Sequence, residues 1–267
     1  MLNQWLSVNR LSLNIGKTNY VIFHPYNKPV KNRITIMVNK KAISEEKSVK
    51  YLGVLIDSSL TWKAHTDNIA KKISRAIGIM YKARYFVNQK VLMDLYYALI
   101  YPHLLYSIQV WGSCFQLSAN KLLILQKKIV RLITFNDNIV PLNGPRVHSS
   151  PLFTELKIMK LDQIFKLRLM QFIYDSLNGF SPIQFNLWFK KSTDLHTYST
   201  RSASRLINPN LLTDTENLHL PQIRTSYGYN SIKYLGPKIW NSISSDIRKI
   251  TPRSLFTIVM KRHLLSL

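Results

Sequence analysis

The order of apolar and polar residues splits the chain into a short mixed beginning and a long helical remainder. Residues 1–14, MLNQWLSVNRLSLN, read as the end of an amphipathic helix breaking into a turn. In KTNYVIFH, Tyr20, Ile22 and His24 alternate with Val21 and Phe23, the period of a strand. A Pro25-to-Pro29 turn leads into RITIMVN, where Ile34, Ile36 and Val38 share one face. SVKYLGVLID, Ser48–Asp57, is a third strand, and the KKAISEEK segment before it suggests an antiparallel hairpin. Three strands are too few for a complete sheet domain.

From Leu60 the period lengthens. Trp62, Thr66, Ile69, Ile73, Ala76 and Met80 recur every three to four residues, predicting a helix over 61–84. At about 100° per residue, Lys63, Lys71, Arg75 and Lys82 fall roughly opposite that stripe. A second helix over 88–111 is apolar on most sides and should kink at Pro102. Its apolar core, Leu95–Ile108, is shorter than the roughly 20 residues of a membrane span and reads as buried helix. A third helix over 119–135 places Lys121, Lys127, Lys128 and Arg131 against Leu122, Leu125, Ile129 and Ile133. A loop over 136–151 follows. Then come a helical pair over 152–178 with Gly179 as its C-cap, a loop-rich stretch over 180–226, and two terminal helices over 226–250 and 254–267. Candidate core positions of the pair are Leu161, Ile164, Phe165, Phe172 and Ile173.

Composition adds a partner class. The 267 residues hold 37 Lys and Arg against 13 Asp and Glu, a net charge of +24, with 46% apolar residues. That is too apolar for a disordered basic tail and too basic to leave a polyanionic partner unconsidered. The lone Cys114 excludes a disulfide framework and a cysteine-based zinc module, and reads as a reduced thiol. No secretory signal is apparent, so the expected location is intracellular, in nucleus or cytoplasm. Phosphate-binding loops, nucleophile elbows and zinc-protease motifs are missing. A lone histidine such as His65 reads as a surface or core-edge residue. Asp57 is the most site-like acid, and its plain reading is a turn residue before a helix. The acids are scattered, with no adjacent Asp-Asp pair to hold two metal ions. The basic side is organised: residues 1–44 hold seven Lys and Arg, including Lys28, Lys31, Arg33 and Lys40, and no acid. With two basic helix faces, this favours phosphate-backbone binding, and exposed Tyr or Phe would add base stacking. Most of the fourteen Tyr are expected in the core.

Five phrases carry a specific likeness. WLSVNRLSLNIGKTNYVIF, VKYLGVLIDSSLTWKAHTDNIAKKIS, LYYALIYPHLLYSIQVWG, LKIMKLDQIFKLRLMQFIYDSLNG and RTSYGYNSIKYLGPKIWNSI follow one another. In that order they resemble the C-terminal part of reverse transcriptases of non-LTR (LINE-like) retrotransposons of the jockey/CR1 kind.

The resemblance implies an α+β fold, mostly α. A small antiparallel palm and primer-grip remnant (1–60) would precede a helical thumb (61–140) and a C-terminal helical region (141–267). Asn14 and Lys17 match the fourth palm motif, whose lysine is thought to protonate the pyrophosphate leaving group. The plain reading of Lys17 is a turn lysine. Tyr51, Leu52 and Gly53 match the primer-grip hairpin. Gly53 would let nucleic acid approach the backbone, or would mark a bulge or a tight packing contact. The implied partners are RNA and RNA–DNA or DNA template-primer, with no membrane. The family's catalytic aspartates lie in earlier motifs, one an aromatic-Ala-Asp-Asp turn, which this sequence lacks. The complete polymerase uses Mg2+; this chain is expected to bind no cofactor and to be inactive alone. The alternatives are a stand-alone RNA- or DNA-binding protein and a non-functional truncated remnant.

Overall fold

The computed structural model describes residues 2–28, 30, 34–38, 41–113, 116–134, 148–195 and 217–266. Lys31, Arg33, Lys40, Cys114, most of the 136–151 loop and the middle of the 180–226 stretch lie outside the described residues.

The beginning is less regular than its alternation predicts. Helix α1 (Leu2–Val8) ends in a turn at Arg10, and Asn14 caps one 3-10 turn, Ile15–Lys17. The strand expected over 17–24 shrinks to β1 (Asn19–Tyr20), and that over 33–39 to β2 (Met37–Val38). β2 pairs antiparallel with β3 (Lys41–Ala42), whereas β1 pairs parallel with β4 (Ser44–Glu45). Val38 is buried, but Ile34 and Ile36, expected on the same inner face, are exposed. Each strand has one short partner, so alternation finds no second layer to bury against. The third predicted strand is in fact two. β5 (Ser48–Tyr51) turns at Leu52–Gly53 and returns antiparallel as β6 (Val54–Asp57).

Helix α2 (Lys63–Ala83) matches its predicted stripe: Thr66, Ile69, Ile73, Ala76 and Met80 are buried and Trp62 packs at the edge. The second predicted helix breaks into α3 (Gln89–Leu99), α4 (Tyr101–Leu105) and α5 (Ile108–Trp111). Pro102 lies in the first turn of α4, where a missing N–H is tolerated, so it starts a helix instead of bending one. Ser107, at φ +51°, separates α4 from α5. Helix α6 (Gln116–Ile133) packs along α2.

The C-terminal half closes over the same core. The predicted pair appears as α7 (Ser149–Glu155) and α8 (Leu161–Leu177), with Leu161, Ile164, Phe165 and Ile173 buried and Phe172 at the edge. Gly179 ends α8 at φ +74°. Short turns α9 (Ile183–Asn186) and α10 (Ser192–Leu195) occupy part of the expected loop. The helix expected over 226–250 is three pieces, α11 (Ser226–Tyr229), α12 (Ile232–Trp240) and α13 (Ser245–Arg248), before α14 (Arg253–Leu265). Buried residues from Ile69 to Leu264 form one cluster, so helices on both sides of residue 140 share a core.

Polar side chains fix this packing. Buried Gln126 of α6 donates to Met159 O (3.2 Å) and accepts from Leu161 N (2.9 Å). Gln163 accepts from Lys160 N (2.9 Å), capping α8, and donates to Leu264 O (2.6 Å). Gly112 lets α5 approach α8: a Cβ there would lie 2.3 Å from Phe165 Cδ2. Tyr227 of α11 reaches back to the beginning, donating to Ser59 O (3.1 Å) and accepting from Tyr26 N (3.2 Å).

Candidate nucleic-acid interface

The β5–β6 hairpin is held from both sides. Its two-residue loop has Leu52 at φ +44° and Gly53 at φ +84°, the left-handed pair that suits the strand twist. Glycine accepts that conformation freely, while an L residue such as Leu52 is strained by about 1–2 kcal/mol. Tyr106, at the end of α4, donates to Leu52 O (2.5 Å), and its ring lies 3.4 Å from where a Gly53 Cβ would be. An added Cβ would make ordinary contact with that ring, so what the turn requires of Gly53 is its left-handed backbone. On the other strand, Leu55 N donates to His65 Nδ1 of α2 at 3.3 Å. Tyr51 and Leu52 are left 64% and 73% exposed at a tip that cannot swing freely.

Asp57 ends the hairpin and begins α2. Its carboxylate accepts from Thr61 N (2.8 Å), Thr61 Oγ1 (2.9 Å) and Trp62 N (2.8 Å), holding an entry in which Leu60 and Trp62 both have positive φ. The turn-residue reading of Asp57 is the one the geometry supports.

Helix α2 presents three stripes. Lys71, Arg75 and Lys82 form an outward row opposite Ile73, spanning about 16 Å. Lys63 is exposed but lies about 100° round from that row, on the α6 side. There Asp67 pairs with Lys121 of α6, so the Lys121 charge is already committed. His65, Asn68 and Lys72 form the third stripe, toward the hairpin. On α6, Lys128 is exposed and Lys127 and Arg131 are half-buried. Among the described residues, Lys63, Lys71, Arg75, Lys82, Lys127, Lys128 and Arg131 have no ion-pair partner.

Lys17 is exposed at the end of its 3-10 turn. The Asn14 carboxamide accepts from Lys17 N (3.2 Å), so Asn14 is spent on the local turn. No hydrogen bond or ion pair joins Lys17 to the hairpin or to the basic rows.

Histidine and tyrosine positions correct the sequence reading. His65 is buried against Trp111, with ring centroids 5.5 Å apart, and burial, then Lys72, lowers its pKa. Its role depends on Leu55, a partner that helix periodicity does not reveal. Of the described tyrosines only Tyr96 and Tyr174 are buried, contrary to the expectation that most lie in the core. Tyr51, Tyr81, Tyr97 and Tyr106 are exposed, Tyr106 with its hydroxyl spent on Leu52 O. Among the described residues no group of three or more His, Cys, Asp or Glu could hold a metal ion, and no helix is long and apolar enough to cross a membrane.

No family model and no solved structure matches the chain. Curated relatives do. The RNA-directed DNA polymerase from mobile element jockey of Drosophila funebris is 28% identical over 134 residues, 49% of this chain and 14% of the relative. The probable RNA-directed DNA polymerase from transposon X-element of Drosophila melanogaster is 24% identical over 137 residues, again 49% and 14%. The probable RNA-directed DNA polymerase from transposon BS of the same species is 29% identical over 98 residues, 34% of this chain and 10% of the relative. The matched stretch thus spans about one seventh of the first two relatives. Over a third to a half of its length, the chain is similar to the RNA-directed DNA polymerases of the jockey, X-element and BS mobile elements.

Proposed function

We propose that the chain is a C-terminal portion of a jockey-type reverse transcriptase and grips template-primer nucleic acid. Residues 61–134 act as a thumb, Lys71, Arg75, Lys82, Lys127, Lys128 and Arg131 follow phosphates, and Tyr51–Leu52–Gly53 steadies the primer end. The observation that carries this reading is the hairpin tip. An exposed, left-handed Leu52 is costly for stability and is clamped by Tyr106. Lys17 is proposed to contact a phosphate or the leaving pyrophosphate.

Among the described residues the acids form no cluster that could hold a metal ion. No Asp-Asp pair occurs in the sequence, so no synthetic step is assigned to this chain. We therefore expect no primer extension by the 267-residue protein in Mg2+. Extension abolished by a substitution within it would sink that expectation.

Binding to an RNA–DNA hybrid, measured by fluorescence anisotropy across salt, should show release of roughly 4–8 counterions. Replacing Lys71, Arg75 and Lys82 together with Gln should remove about three of them. Affinity indifferent to salt would overturn the reading.

A further inference from the structure

Between the hairpin turn and helices α2 and α4 lies a hollow of about 290 Å³. Gly53 and Tyr106 are among its lining residues, and His65, Asn68, Lys72 and His103 supply polar groups. No carboxylate is among its lining residues. His65 is the informative member. Its Nδ1 accepts from Leu55 N, so the neutral ring carries its proton on Nε2. That Nε2 is buried and has no hydrogen-bond partner, in a side chain only 3% exposed. A buried donor left unpaired is costly, so it calls for an acceptor. The neighbours define the acceptor's charge. Burial, then the Lys72 ammonium, lowers the pKa of both His65 and His103, so both rings offer N–H groups beside a cation. Lys72 itself is exposed and has no ion-pair partner among the described residues.

We propose that this hollow seats a phosphate, namely a phosphodiester of a nucleic-acid strand passing the hairpin tip. Lys72 supplies the charge, and Asn68, His103 and the His65 Nε2–H supply hydrogen bonds. The inference deepens the nucleic-acid-binding reading and rests on it. It adds a residue set that the basic rows do not contain.

The test uses the whole chain with imidazole nitrogens labelled. An RNA–DNA hybrid should shift the His65 and His103 ring resonances. Lys72→Gln and His103→Gln should each weaken hybrid affinity roughly tenfold. Lys72→Gln should also lower the salt slope by about one counterion, and Lys166→Gln on α8 should do neither. Unchanged affinity in both variants, with the parent still binding, overturns the hollow and leaves the broader reading intact. Resonances that move with inorganic phosphate, and are not competed by hybrid, overturn a nucleic-acid source. A parent protein that binds no hybrid at low salt brings down both.

Discussion

Single residues carry more of the hairpin than their types suggest. Leu52 occupies a left-handed position that asparagine adopts more readily, so Leu52→Asn should raise stability by about 0.5–1 kcal/mol in a urea melt. The same change should weaken hybrid binding if the exposed leucine touches the primer. Gly53→Ala has the opposite sign and should cost at least about 1 kcal/mol, since φ is +84° and Tyr106 is in contact. His65 makes the fold sensitive to acid. Its pKa is lowered by burial and Lys72, so the folded protein holds fewer protons than the unfolded chain below the ordinary value of 6.5. Its contribution is complete above that pH and is lost as pH falls through the lowered pKa. The melting temperature should drop from pH 7 to 5, and less so in His65→Gln. Neither role was readable beforehand. Leu-Gly lacks the Asn-Gly hairpin signature, and the partner of His65 belongs to another element.

Elements with a long period were the readable ones. Helices α2 and α6 each have enough turns for apolar spacing to be clear, and their ends fall within a few residues of expectation. Short elements failed for the converse reason. Two-residue strands carry almost no period, and α3 to α5 share one apolar run in which Pro102 marks the first break and nothing comparable marks the second, at Ser107. Pro102 shows the difference physically. Were it bending a continuous helix, Pro102→Ala would stabilise the protein by several kcal/mol. In the first turn of α4 it restricts the unfolded chain without removing a helix bond, so the substitution should cost about 0.5 kcal/mol. Gly112→Ala drives a methyl into Phe165 and should lose about 1–3 kcal/mol, visible as a lower denaturation midpoint.

At the scale of the whole molecule, charge acts on folding and binding with opposite sign. A net charge of +24 repels itself, so added salt should raise the melting temperature while it lowers hybrid affinity. The charge count pointed to a polyanion but could not say which cations are free, because the Lys121–Asp67 pairing joins residues on two helices. Burial is uneven in the same way. Among the described residues almost all of the core lies beyond residue 54, so limited proteolysis should cut within the first 46 residues before it cuts within α2 or α8. The Tyr227 hydroxyl nonetheless clasps Tyr26 of that region to Ser59. On a ribosome adding roughly 5–20 residues per second, Tyr227 emerges about 10–40 s after Tyr26. The segment around Tyr26 must therefore wait, unfastened, while the residues between it and Tyr227 are made. A premature stop codon just ahead of position 227 would leave helices α2 to α8 encoded and the clasp permanently open.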